Sequence, residues 1–333
     1  MGNWKRLALD VLNGEVLSNE DALSILQCPD EEILELLDGA YFIRHHYYGN
    51  KVKLNVIMNA KSGLCPENCG YCSQSSISNA AIKKYKMMDT EALLKGAEQA
   101  HRLNAGTYCI VASGRGPSNK EIDQVATAVK EIKSRYNLKI CACLGLIQPE
   151  QAAKLKEAGV ERYNHNLNTS ENHHEAITTS HTYQDRVNTV ELIKSQGISP
   201  CSGVIIGMKE TKQDVIDMAM SLKALDADSI PVNFLNAIDG TPLQGTNELN
   251  PRYCLKVLAL MRFINPTKEI RISGGREVNL RSLQPLGLYP ANSVFVGDYL
   301  TTSGQESSAD HQMLIDLGFE IDYVKEEENA AVN

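Results

Sequence analysis

The chain has 333 residues, 43% of them hydrophobic, with a net charge of −8 and nine cysteines. That length buries one barrel-sized core or two ordinary ones, and an acidic chain without Lys/Arg blocks is a poor partner for nucleic acid, whose phosphates need a basic face. No apolar run nears the roughly eighteen residues of a membrane span and no apolar leader follows the first basic residues, so the chain reads as cytoplasmic, with reduced thiols rather than a disulfide framework.

Residues 1–50 read as helices. Trp4, Ala8, Val11 and Leu12 share a face, Ser18 and the Asn-Glu-Asp after it open a second helix, and Pro29 with its acidic followers opens a third. From residue 51, short β-branched runs alternate with longer amphipathic segments. Strands are predicted at 52–57, 107–112, 139–144, 162–166, 200–206, 229–234, 269–273 and 293–296. Helices are predicted at 89–104, 118–136, 149–159, 182–196, 211–226, 251–264, 277–284 and 308–317, with Asp89 and Ser118 as caps and Gly159 and Gly197 as stops. Eight strand-helix units over roughly 260 residues match an α/β fold of the (β/α)8 TIM-type barrel, with an N-terminal helical extension; a doubly wound open sheet is the alternative. The corresponding domains are the extension 1–50, the barrel 51–305, and a C-terminal helix with an acidic, frayed tail at 306–333.

Directly after the first strand comes Asn59-Ala-Lys-Ser-Gly-Leu-Cys-Pro-Glu-Asn-Cys-Gly-Tyr-Cys72, which spaces Cys65, Cys69 and Cys72 as C-x3-C-x2-C. Three thiolates on one loop can hold three corners of an iron-sulfur cluster and leave one iron open, whereas structural zinc would want a fourth protein ligand nearby. Pro66 keeps a helix from running through the loop, and Gly70 is expected to supply its positive φ. The loop lies at the carboxyl end of the strand, where barrel enzymes place their sites.

Cys109, Cys141 and Cys201 fall several residues before the ends of the second, third and fifth predicted strands, and Arg271 sits at similar depth in the seventh. If these side chains point inward, a second thiol site lies on the order of 13 Å of strand below the first, less after tilt. Cys143 shares the parity of Cys141, so alternation does not choose between them. The ordinary role of Arg271 is an arginine paired to a carboxylate or anion. Cys28, Cys143 and Cys254 read by default as small buried hydrophobes.

The loop resembles the C-x3-C-x-aromatic-C signature of the radical S-adenosylmethionine (SAM) superfamily, with Tyr71 as the aromatic residue. From about Lys51 to Thr302, including YNHNL at 163–167, GTPL at 240–243 and SGGRE at 273–277, the chain is similar to the biotin synthase family. The resemblance implies a [4Fe-4S] cluster on Cys65, Cys69 and Cys72 that cleaves SAM. It also implies a [2Fe-2S] sulfur donor on Cys109, Cys141, Cys201 and Arg271, favouring Cys141 over Cys143, and conversion of dethiobiotin to biotin, the last step of biotin biosynthesis. It places Tyr71, Ser113, Asn166, Asn168 and Arg186 at SAM, and Asn164, Asn233, Thr301 and Thr302 at the substrate. Asn168 stands where some members carry aspartate. A flavodoxin or ferredoxin electron donor and a homodimer are expected on the same ground. His165, His173, His174 and His181 do not have the spacing of a zinc-enzyme motif and read as solvated or structural.

Overall fold

A computed structural model describes residues 2–323. Strands β1 (Lys51–Lys61), β2 (Thr107–Ala112), β3 (Lys139–Cys143), β4 (Arg162–Asn164), β5 (Ser199–Cys201), β6 (Val204–Ile206), β7 (Ser229–Phe234), β8 (Glu269–Ile272), β9 (Ser293–Phe295) and β10 (Glu320–Ile321) are all parallel to their neighbours. The sheet runs β1 to β5, then β7, β8 and β9, and β9 pairs back to β1, so the barrel is closed and the open-sheet alternative falls. Closure leaves no free edge within the ring, and the apolar residues that alternate outward on each strand are covered by helices.

Helices α1 (Asn3–Leu12), α2 (Asn19–Leu26) and α3 (Ile33–Tyr48) precede the barrel. Around it lie α4 (Thr90–Arg102), α5 (Asn119–Arg135), α6 (Pro149–Ala158), α7 (His174–Ile177), α8 (Tyr183–Ser195), α9 (Lys212–Ala224), α10 (Pro251–Ile264), α11 (Arg276–Asn279), α12 (Gln284–Gly287) and α13 (Ser307–Asp316). The caps fall as expected. Asp89 Oδ1 accepts from Ala92 N at 2.9 Å, Ser118 and Glu121 form a reciprocal box, and Gly159 ends α6 at φ 103°. Each such cap stabilises its helix by about 1 kcal/mol.

Trp4, Ala8 and Val11 are buried as the sequence stripe requires; α1 packs on α3, and α2 and α3 pack on α10. Buried Arg44 of α3 donates to the carbonyls of Ala291 (3.1 Å) and Lys51 (2.9 Å), at the starts of β9 and β1. The extension is therefore fastened to the amino end of the barrel, opposite the cysteine loop.

The structure differs from the sequence reading at four places. The predicted strand 200–206 is two strands, β5 and β6, because a Cβ on Gly203 would lie 2.0 Å from Pro231 O and the chain must step aside there. The predicted helix 277–284 is broken into α11, a 3-10 turn and α12, with Arg281 at φ 53° between them. Glu320 and Ile321, assigned to a frayed tail, pair with Lys51 and Val52; residues 324–333 lie outside the described part. The left-handed turn of the cysteine loop is at Gly63 (φ 65°) and Leu64 (φ 57°), not at Gly70, whose N–H donates to Ile177 O at 2.9 Å.

Candidate functional site

Two cavities lie on the barrel axis. The upper, about 320 Å³, opens at the carboxyl end and is lined by Cys65, Cys69 and Cys72. The lower, about 160 Å³, is lined by Cys109, Cys141 and Arg271. Val111, Cys143, Asn164, Asn166, Asn233 and Leu300 line both, forming a collar between them. Two sites separated by one shared collar is the arrangement a molecule held between them needs.

The upper thiols ride on a loop that its own polar residues tie down. Asn68 Oδ1 accepts from Thr178 Oγ1 (2.8 Å), Thr179 N (3.0 Å) and Ser180 N (3.1 Å), while Gly63 N donates to Gln74 Oε1 at 2.8 Å. The Glu67 carboxylate takes Arg115 Nη1 at 3.1 Å, Ser180 Oγ and the His181 ring Nδ1. Burial alone would raise this carboxyl, but Ser180, His181 and Arg115 outweigh it and hold it below the ordinary range. The Cys72 thiol is pushed up to about 12, chiefly by burial, and Cys65 is raised for the same reason. A protonated thiol does not bind metal, so iron held here would have to draw these protons off.

Around this cavity stand buried polar atoms that lack partners among the described residues: His165 Nε2, His181 Nε2 and Arg186 Nε. Burial, then Arg186, hold both histidines below their ordinary value, so both rings are neutral at pH 7. A cavity with unsatisfied donors and acceptors on its wall suits a polar ligand. His165 and His181, read from sequence as solvated or structural, thus both face the site. His173 and His174 do serve the backbone, at Met208 O (2.8 Å) and His181 O (3.0 Å).

The remaining upper residues are linked to one another. Arg186 Nη1 donates to Asn166 O at 2.8 Å, and Asn164 Nδ2 donates to Asn166 Oδ1 at 2.9 Å. Asn168, at φ 68°, donates to Tyr71 Oη at 2.5 Å, which ties the cysteine loop to the end of β4. Ser113 lines the same cavity and donates to Gly63 O.

The lower thiols come from three strands. Cys109 lies directly opposite Cys141 in the β2/β3 register, and Cys201 lies opposite Asn164 in the β4/β5 register. Cys109, Cys141 and Cys201 pack together with Phe295 in one cluster. Cys143 stands one layer higher, donating to Asn164 Oδ1 at 3.2 Å, so the structure separates two cysteines that parity left equivalent. Contact with Cys109 and then burial hold the Cys141 thiol well above its ordinary range, and contact with Cys141 and then burial do the same for Cys201. The Arg271 guanidinium faces these thiols and is also ion-paired to Glu269 at 2.6 Å, so its ordinary role is present too. Among the described residues no three His, Cys, Asp or Glu side chains converge on a single metal ion. All three upper thiols line a cavity, as do Cys109 and Cys141 of the lower set, with Cys201 packed against them, and a group of several irons needs such a space rather than a single point.

Thr301 and Thr302 line neither axial cavity. They border a neighbouring one of about 430 Å³ with Asn59 and Tyr85, Thr301 Oγ1 lies 2.9 Å from Ser73 Oγ, and their loop presents Leu300 to the collar instead. Asn233 does reach the collar, with Nδ2 donating to Val204 O at 3.0 Å. Sequence reasoning missed Glu67, Arg115 and Leu300. Only Glu67, charged and set between two cysteines, offered a signal.

Residues 61–222 match the Radical SAM superfamily, and residues 231–320 match the Biotin and Thiamin Synthesis associated domain. The barrel is similar to methylornithine synthase (TM-score 0.84, 20% identity, covering 96% of this chain and 98% of that one). It is also similar to the FeFe-hydrogenase maturase HydG of Carboxydothermus hydrogenoformans (TM-score 0.80, 17% identity, 96% and 79%), likenesses that concern the fold. Fold and cysteine loop together define a radical SAM enzyme. The biotin synthase of Geobacillus kaustophilus is 76% identical over 323 residues, 97% of each chain, and that of Bacillus subtilis strain 168 is 74% identical over 326 residues, 98% of this chain and 97% of the relative. The chain belongs to the biotin synthase family. Its activity is biotin formation by radical SAM chemistry, with S-adenosylmethionine and iron-sulfur clusters as cofactors.

Proposed function

We propose that this chain converts dethiobiotin to biotin inside the barrel, with the upper thiols as radical generator and the lower thiols as sulfur store. Cys65, Cys69 and Cys72 would hold a [4Fe-4S] cluster; Cys109, Cys141, Cys201 and Arg271 would hold a [2Fe-2S] cluster. When bound, the first supplies the electron that splits S-adenosylmethionine and the second supplies the sulfur that dethiobiotin gains. The observation that carries this reading is the shared collar, which leaves a substrate at that level in reach of both cavities.

The chain's own residues bind, orient and exclude water. Tyr71, Ser113, Asn166, Asn168 and Arg186 are assigned to S-adenosylmethionine: amides pair with hydroxyls, and the arginine meets a carboxylate. Asn164 and Asn233 offer amides to the ureido ring, and Thr301 and Thr302 are assigned to the substrate carboxylate, which requires their loop to turn so that they replace Leu300 at the collar. Val111 and Leu300 give the collar its apolar wall, which protects a radical from water. An electron donor of the flavodoxin or ferredoxin type, a homodimer and a cytoplasmic location belong to the same reading. So does the division into extension 1–50, barrel 51–305 and terminal part 306–333.

The test is anaerobic reconstitution with iron and sulfide, followed by assay of 5′-deoxyadenosine and biotin. The intact chain is expected to form both in a dethiobiotin-dependent way. A reconstituted chain that forms neither would refute the proposal.

A further inference from the structure

Below the lower thiols lies a buried charge that no step of the reaction uses. Glu269, two residues before Arg271 on β8, is 2% exposed. Its Oε1 accepts from Arg271 Nη2 (2.6 Å), Ser229 Oγ (3.0 Å) and Ser293 Oγ (3.1 Å), and its Oε2 accepts from Arg162 Nη1 (2.7 Å) and Lys53 Nζ (3.2 Å). Side chains from β1, β4, β7, β8 and β9 thus meet at one carboxylate. Three cations share this single anion; Lys53 is 24% exposed, but Arg162 and Arg271 are largely buried, and a buried excess of positive charge is costly unless a further anion lies close by. An iron-sulfur group held by the three thiolates above would be such an anion.

The same contacts fix the arginine. Nε donates to Ser293 Oγ (3.2 Å), Nη2 donates to Ser229 Oγ (2.9 Å) and Glu269, and the guanidinium lies over the Phe295 ring at 4.9 Å. Nη1 is the guanidinium nitrogen that none of these bonds uses, and Arg271 lines the lower cavity. A planar fork held along one edge and over one face keeps a single orientation.

We propose that Glu269 is a positioning residue of the lower site: by holding Arg271 at Nη2 it leaves the Nη1 edge as the one offered to the iron-sulfur group, and by gathering Arg162 and Lys53 it places their charge beneath that group. The inference rests on the assignment of Cys109, Cys141, Cys201 and Arg271 to a [2Fe-2S] cluster.

The experiment compares reconstituted full-length protein with Glu269→Gln, Glu269→Asp, Arg271→Ala, Glu269→Gln/Arg271→Ala and Cys109→Ala. The readouts are visible circular dichroism, which reports the asymmetry of the cluster's ligands, the rate of iron loss to a chelator, and the Tm of the metal-free chain. Glu269→Gln is expected to change the [2Fe-2S] dichroism and speed iron loss several-fold. Glu269→Asp, which keeps the charge but shortens the reach to Arg271, is expected to give a smaller change of the same kind. In the Arg271→Ala background, Glu269→Gln is expected to add nothing. A lowered Tm with unchanged dichroism in both single variants, or an equal change with and without Arg271, overturns the role of Glu269 while leaving the cluster assignment intact. A [2Fe-2S] spectrum that survives Cys109→Ala overturns the assignment and this inference with it.

Discussion

The two thiol triads are built by opposite means. Cys65, Cys69 and Cys72 sit within one continuous stretch of loop, and side-chain hydrogen bonds from Glu67, Asn68 and Gln74 set their spacing. Cys109, Cys141 and Cys201 are far apart in sequence, and the backbone register of the closed barrel brings them together. The upper site is thus a local structure resting on a few polar contacts; the lower exists only if four neighbouring strands, β2 to β5, pair in register. Damage to one should leave the other readable.

The largest expected effect separates the two by product. Cys69→Ala should abolish 5′-deoxyadenosine and biotin together, while the [2Fe-2S] absorption persists. Cys109→Ala should remove that absorption and biotin but retain S-adenosylmethionine cleavage under strong reductant. Chromatography of both products, beside the visible spectrum, checks the pair; loss of both clusters in either variant would erase the distinction.

A smaller effect is expected at the loop clamp. Glu67→Ala strands the partly buried donors of Arg115, Ser180 and His181, a local cost of about 1–3 kcal/mol. Because that cost falls on a loop, global Tm should move little. Hydrogen exchange in the metal-free chain should rise across 62–80 and stay unchanged across 107–112, and the upper cluster should be retained less well than the lower.

The mildest effect concerns alkali. The buried Cys72 thiol titrates at about 12 instead of 9.0, so the folded metal-free chain keeps a proton that the unfolded chain gives up. Stability from this group is present below pH 9 and falls as pH rises from there toward about 12. Thermal melts of metal-free protein should therefore show a steeper alkaline loss than melts of Cys72→Ala. In loaded protein with Cys72 intact, where the thiolate is bound, this extra alkaline loss should vanish.

This contrast also explains what could be read from the residues alone. The upper triad was legible because its cysteines are contiguous in sequence, and the barrel was legible because strand and helix periods alternate cleanly from residue 51. The lower triad was only partly legible, since parity admits Cys143 as readily as Cys141 and strand registry decides. Leu300 in place of Thr301 and Thr302 at the collar, and the broken 200–206 strand, depend on how a loop folds back or how closely Gly203 passes Pro231. Such approaches between distant segments leave no periodic trace. Glu269 looked like any strand carboxylate, because its five donors come from across the ring.

The pairing of β1 with β9 sets an order of events during synthesis. By the time β5 has left the ribosome all three lower cysteines have emerged, while Arg271 and the closing strand are still to come. Until β8 and β9 arrive the ring cannot close, and in the finished barrel the collar stands between the three-cysteine wall and the upper mouth.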